Sequence, residues 1–150
     1  MRRWFKTGLL SLAAAGAATG CAGPTELDVE DAWVRLPAAP GRPAVAYFTI
    51  EGGARARTLY RVTADYAVRA EMHESMGAAG GRMSMRPIAS VPVPAGEDVE
   101  FRPGGRHIML YDIDRRAKPG GSMLLTLTFD GNDRLYRKAW IIGPNDEAPD

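Results

Sequence analysis

Short runs of β-branched and aromatic residues, each bounded by Gly, Pro, Asp or Asn, recur from Ala32 to Ile142: Ala32–Leu36, Val45–Ile50, Thr58–Thr63, Ala67–His73, Val99–Phe101, His107–Tyr111, Met123–Phe129 and Leu135–Ile142. Runs of this length with turn residues between them read as strands, and their spacing predicts an antiparallel sandwich or barrel. No window of a dozen residues sustains a helical period, because Pro or Gly interrupts nearly every one. The expected fold class is therefore all-β. Pro40-Gly41, Gly52-Gly53, Gly80-Gly81, Pro103-Gly104-Gly105, Pro119-Gly120-Gly121 and Asp130-Gly131-Asn132 supply the turns. Asp130-Gly131, between two of the longest runs, predicts a hairpin.

The ends of the chain read differently. Arg2, Arg3 and Lys6 precede a small, apolar stretch from Leu9 to Ala18, and Ala18-Thr19-Gly20-Cys21 closes it, so residues 1–20 are expected to be an export signal. An apolar run of about ten residues is too short for a bilayer, which takes roughly 20. Ala18 to Cys21 resembles a bacterial lipobox, with Ala18 where leucine is usual, which makes Cys21 the expected site of lipidation and the periplasm the expected compartment. Ala22 rather than aspartate follows Cys21, which by resemblance to enterobacterial sorting signals leans towards the outer membrane. Residues 21–28 read as a flexible tether, 29–143 as the folded domain, and the acidic segment 144–150 as a disordered or loosely held tail.

Composition narrows the chemistry. Of 19 Lys and Arg, three lie in the export signal, leaving 16 against 18 Asp and Glu, a formal charge of −2 that makes nucleic acid an unsuitable partner. Cys21 is the only cysteine, which excludes an intramolecular disulfide, a CxxC redox pair and a Cys-ligated zinc. The Asp, Glu and Ser residues form no recognisable catalytic motif, so an enzyme is not expected.

One stretch stands apart. Both histidines of the chain and five of its seven methionines, Met72, Met76, Met83, Met85 and Met109, fall between Met72 and Met109. Singly, a histidine in a β domain is more often a surface or satisfied core residue, and a methionine is usually a gap-filler. Together they make a soft donor set, since thioether sulfur and imidazole favour Cu(I) over the oxygen-seeking Mg²⁺ or Ca²⁺. On a strand, positions i and i+2 share a face, so His107 and Met109 point one way and Ile108 and Leu110 the other, towards a core. Met72 must oppose His73 and is expected in the core. Met83 and Met85 share a face, and either is able to present sulfur.

The runs Glu71-Met72-His73-Glu74, Met83-Ser84-Met85-Arg86-Pro87 and Pro103-Gly104-Gly105-Arg106-His107-Ile108-Met109-Leu110 closely resemble the PCuAC-type periplasmic copper(I) chaperones. That family's signature is a histidine, an optional methionine, ten residues, a methionine, twenty-one residues and His-x-Met. Here Glu74 takes the optional place, residues 75–84 are the ten, Met85 the methionine, residues 86–106 the twenty-one, and His107-Ile108-Met109 the close.

The resemblance, which runs from about Asp31 to Ile142, implies a cupredoxin-like antiparallel β-sandwich of Greek-key type. It implies one Cu(I) held by His73, Met85, His107 and Met109, with Met76 and Met83 as neighbours in a possible second shell. It also implies delivery towards the CuA subunit of cytochrome c oxidase, directly or through a Sco-like thiol protein. A blue-copper electron-transfer site needs a cysteine ligand, and Cys21 is at the tether. The tail lacks the His/Met-rich extension of some relatives, so a separate Cu(II) site is not expected. Copper buffering without a dedicated acceptor, and a structural or interaction lipoprotein that binds no metal, are the competing expectations.

Overall fold

The computed structural model describes residues 26–77 and 80–149. The export signal and Cys21 lie outside the described residues. Ten strands follow in chain order: β1 (Asp28–Arg35), β2 (Ala44–Glu51), β3 (Arg57–Ala64), β4 (Ala67–Gly77), β5 (Met83–Pro87), β6 (Val91–Val93), β7 (Val99–Phe101), β8 (Arg106–Ile113), β9 (Ser122–Phe129) and β10 (Arg134–Ile142). A single 3-10 turn, Asp130–Asn132, is the one helical element among the described residues.

The strands are hydrogen-bonded in the order β5-β4-β8-β7-β2-β1-β10-β9-β3-β6, with β8 also pairing β2 beyond the end of β7. Most pairs are antiparallel; β1 runs parallel to β10, with Trp33 opposite Trp140, and β7 meets β8 in parallel at Phe101 and Arg106. The two halves of this order fold over one another as a β-sandwich. Alternating residues of β2 (Ala44, Ala46, Phe48, Ile50) and β8 (Ile108, Leu110) join Leu59 and Val62 of β3 and Met123, Leu125, Leu127 and Phe129 of β9 in one core. Alternation is the cause: β2 and β9 bury every second side chain, as a sheet with one inner face requires. Phe48 and Phe101 stack at 4.5 Å between ring centroids. Met72 is buried in this core, as its opposition to His73 predicts.

Asp130-Gly131 does connect β9 and β10 in a hairpin, with Leu127 opposite Leu135 and Phe129 N–H donating to the Asp133 carbonyl at 2.8 Å. Two strands escape the hydrophobic signal. All five residues of β5 are exposed, and β6 is three residues long with Pro92 at its centre. β6 lies at one edge of the sheet and pairs only with β3, where a residue without an N–H is tolerated. At the other end of the domain, the segment expected to hang loosely makes a turn at 143–146. Arg35 Nη1 donates to the carbonyls of Gly143, Pro144 and Asp146 at 3.3, 3.2 and 2.7 Å, and the Asp146 carboxylate accepts from Gly143 N–H at 2.6 Å.

Candidate metal centre

The register between β4 and β8 sets His73 directly opposite His107 and Glu71 directly opposite Met109. In the adjacent β4–β5 ladder Ser75 faces Met85 and Gly77 faces Met83. Both ladders keep their register, so side-chain alternation puts Glu71, His73, Met83, Met85, His107 and Met109 on one face of the sheet, opposite Met72, Ile108 and Leu110. Three neighbouring strands thus bring together His73, Met85, His107 and Met109. Met83 shares their face one step towards the hairpin end. Met76, expected beside them, pairs with Ser84 on the other face, where the sheet separates it from both imidazoles. The run read from the sequence ends at His73, but β4 continues to Gly77, and the odd offset of Met76 from His73 then puts it on the opposite side.

The His107 ring is buried, with 5% of the residue exposed, although its face is not the core face. Its Nδ1 lies 3.0 Å from the Gly105 carbonyl oxygen, an acceptor, so Nδ1 carries the proton and donates it. The lone pair of the neutral ring is then at Nε2, which stands 3.2 Å from the Met85 sulfur. Two electron-pair donors converge there. Bonds of about 2.0 Å to nitrogen and 2.3 Å to sulfur around a tetrahedral metal would set such donors about 3.5 Å apart. The observed spacing therefore suits a shared soft cation.

His73 is fixed from the other side. Its Nε2 is 3.1 Å from Glu71 Oε2, and its Nδ1 is buried without a partner. The two imidazole centroids are 6.0 Å apart and tilted by 36°. Glu71 is itself held: Arg69 pairs with its other oxygen, and the Arg69 guanidinium lies 3.9 Å from the centroid of the Tyr111 ring. The hydrogen bond from His73, helped by the Arg69 charge and the Tyr111 hydroxyl, keeps the Glu71 carboxyl below the usual range in spite of partial desolvation. Desolvation, with the Glu71 carboxylate beside it, pushes the Tyr111 phenol up. On the opposite face Glu74 pairs with Arg86 at 2.9 Å and Arg106 at 3.8 Å, Arg86 chiefly lowering its carboxyl.

Glu71 and the Gly105 carbonyl were not singled out by residue type; Glu71 sits two places before His73 and so shares its side of β4. That period was the available signal. Among the described residues no three His, Cys, Asp or Glu side chains gather as a metal-holding group, so a metal on this face would rely on methionine sulfur. A cleft of about 670 Å³ bordered by Leu36, Pro40, Arg42, Ile113, Arg115 and Lys118 contains none of the histidines or methionines of this face.

The family described as "Putative lipoprotein LpqE-like" matches residues 27–140. The chain belongs to the LpqE-like family. A putative lipoprotein of Leifsonia xyli subsp. xyli is 27% identical over 107 residues, which take in 71% of this chain and 64% of that protein. This LpqE-like chain thus spans less than two thirds of that relative's length. Among solved structures, the copper-bound PCuAC domain from PmoF2 superposes with a TM-score of 0.65 at 22% identity, covering 82% of this chain and 97% of that domain. Copper(I)-bound DR1885 from Deinococcus radiodurans gives 0.57 at 22% identity, over 89% of this chain and 87% of that protein. The LpqE-like chain therefore has the cupredoxin-like β-sandwich of PCuAC domains.

Proposed function

We propose that this protein is a copper carrier of the cell envelope, a binding protein rather than an enzyme, which holds one Cu(I) through His73, Met85, His107 and Met109. The observation that carries the reading is His107 Nε2 facing the Met85 sulfur at 3.2 Å while Nδ1 faces the Gly105 carbonyl, with His107 directly across the ladder from His73. The buried, unpartnered Nδ1 of His73 adds a second nitrogen donor. Two imidazoles and two thioethers form a neutral set suited to Cu(I), which keeps its single charge. Two structural neighbours, the PmoF2 PCuAC domain and DR1885, are themselves copper-bound, which supports the same cargo.

Copper is here cargo, and the site's exposure suits release. Met85 is 59% exposed and Met83 62%, both on the edge strand β5. An incoming thiolate, a softer and charged donor, is able to displace the Met85 thioether first and draw the ion out by successive exchange. A Sco-like thiol protein or the CuA subunit of cytochrome c oxidase supplies such ligands. Anchorage through Cys21 fits the lipoprotein description of the family and would keep the carrier at a membrane surface.

Metal analysis of the purified protein under reducing conditions, with Cu(I) competed by a chromophoric chelator, tests the reading. One equivalent bound by the parent and lost in His107→Ala is the expected result. No stoichiometric copper in the parent would overturn it.

A further inference from the structure

A neutral imidazole has one lone pair, and the group bonded to its N–H decides which nitrogen holds it. For His107 that group is a backbone carbonyl, which cannot move without moving the strand. For His73 it is a side chain, Glu71, two residues earlier on the same face of β4. Because a carboxylate only accepts, the proton of His73 is at Nε2 and the lone pair at Nδ1, buried and without any donor in the protein. Among the described residues the only other unpartnered buried side-chain atom is Arg137 Nε. A buried acceptor with no donor costs free energy in the empty protein, and that cost disappears when a cation arrives.

We infer that Glu71 is a positioning residue for the metal site: its carboxylate holds His73 as the Nε2–H tautomer, so that His73 offers Nδ1 to the metal while His107 offers Nε2. The two histidines are thereby locked in opposite tautomers. The lock is braced by Arg69, which pairs with the second Glu71 oxygen. Glu71 also occupies the ladder position opposite Met109. Carboxylate support of a ligating histidine is a recurrent arrangement, and its loss typically costs about 10–100-fold in metal affinity.

The inference rests on the copper reading, and two measurements separate their failures. Nitrogen-15 spectra of the imidazoles in the metal-free protein should show His73 protonated at Nε2 and His107 at Nδ1. Glu71→Leu should leave the His107 tautomer and the fold unchanged, let His73 populate both tautomers, and weaken Cu(I) about 10–100-fold in chelator competition. Glu71→Gln, which keeps an acceptor oxygen, should recover most of that loss. Metal-free parent protein with the His73 proton at Nδ1 would overturn the inference without reference to any variant. So would Glu71→Leu with parental affinity. A parent protein with the stated tautomers that takes up no Cu(I) would overturn the copper reading itself, and with it the part assigned to Glu71.

Discussion

His73 and His107 face one another across the β4–β8 ladder although 33 residues separate them along the chain, and their rings end 6.0 Å apart. Neither ring is free to turn, one being tied to a carboxylate and the other to a main-chain carbonyl. A cation taken up between them, as proposed, would need little rearrangement of the imidazoles, and the ligand left to adjust would be Met85 on the exposed edge strand.

Met109→Ile replaces a thioether by a branched hydrocarbon of similar volume on a β-strand, a swap that usually costs under about 1.5 kcal/mol of stability. Copper affinity should fall by at least the roughly tenfold that loss of even an outer partner costs a metal site. Chelator competition and a thermal melt on the same sample check both halves; unchanged affinity would remove Met109 from the ligand set.

Protons compete with Cu(I) for the imidazole nitrogens, since only an unprotonated nitrogen donates a pair. Affinity should therefore fall as the solution is made more acidic. Equal Cu(I) affinities in neutral and in acidic solution would contradict histidine ligation.

Gly52 owes its identity to crowding. A Cβ there would stand 2.4 Å from the carbonyl oxygens of both Pro94 and Glu97, and its N–H donates to Glu97 O at 3.0 Å. Gly52→Ala should cost about 1–3 kcal/mol, as overpacking does. Urea titration checks it, with Gly41→Leu an unsuitable control because Gly41 has φ +76°.

Asp130 reports on acid stability. Arg57 first, at 2.8 Å, and then the Thr58 N–H hold its carboxyl below the usual range. A folded-state pKa below the unfolded one stabilises above the unfolded value, about 3.9, and the gain is lost as pH falls through the folded value. Asp130→Asn should lower the melting temperature at neutral pH, and the difference from the parent should vanish in strong acid. A difference that persists there would assign the effect to packing.

Arg35 fastens the turn at 143–146 while its guanidinium carbon lies 5.3 Å from the Trp33 ring centroid. Arg35→Leu removes three carbonyl contacts from the acidic segment. Limited proteolysis should then cut within residues 143–149 faster than in the parent, with the core unaffected; identical cleavage would show that the turn holds itself.

Much of this is legible in the amino-acid sequence. β2 and β9 alternate so regularly that their inner faces follow from the sequence, and the same period sets His107 with Met109 and against Ile108. The β5 strand was hidden because Met83-Ser84-Met85-Arg86-Pro87 has no buried side, so no contrast marks it. Register between distant strands was hidden too: nothing local says that Glu71 meets Met109. The choice of Met85 over Met83 came with the family resemblance; both share the face, and it is Met85 whose sulfur meets His107.

β5 is exposed throughout and is joined to the sheet on one side only, by its ladder to β4. A cation bound between Met85 and His107 would add a cross-link from this edge to β8, two strands away, and stabilise the folded form by an amount that grows with the logarithm of one plus the ratio of free ion to its Kd. Cargo would then act as a rivet. The loaded and empty proteins would share a core but differ in the stiffness of one margin, and an acceptor that grips that margin would sense whether there is an ion to collect.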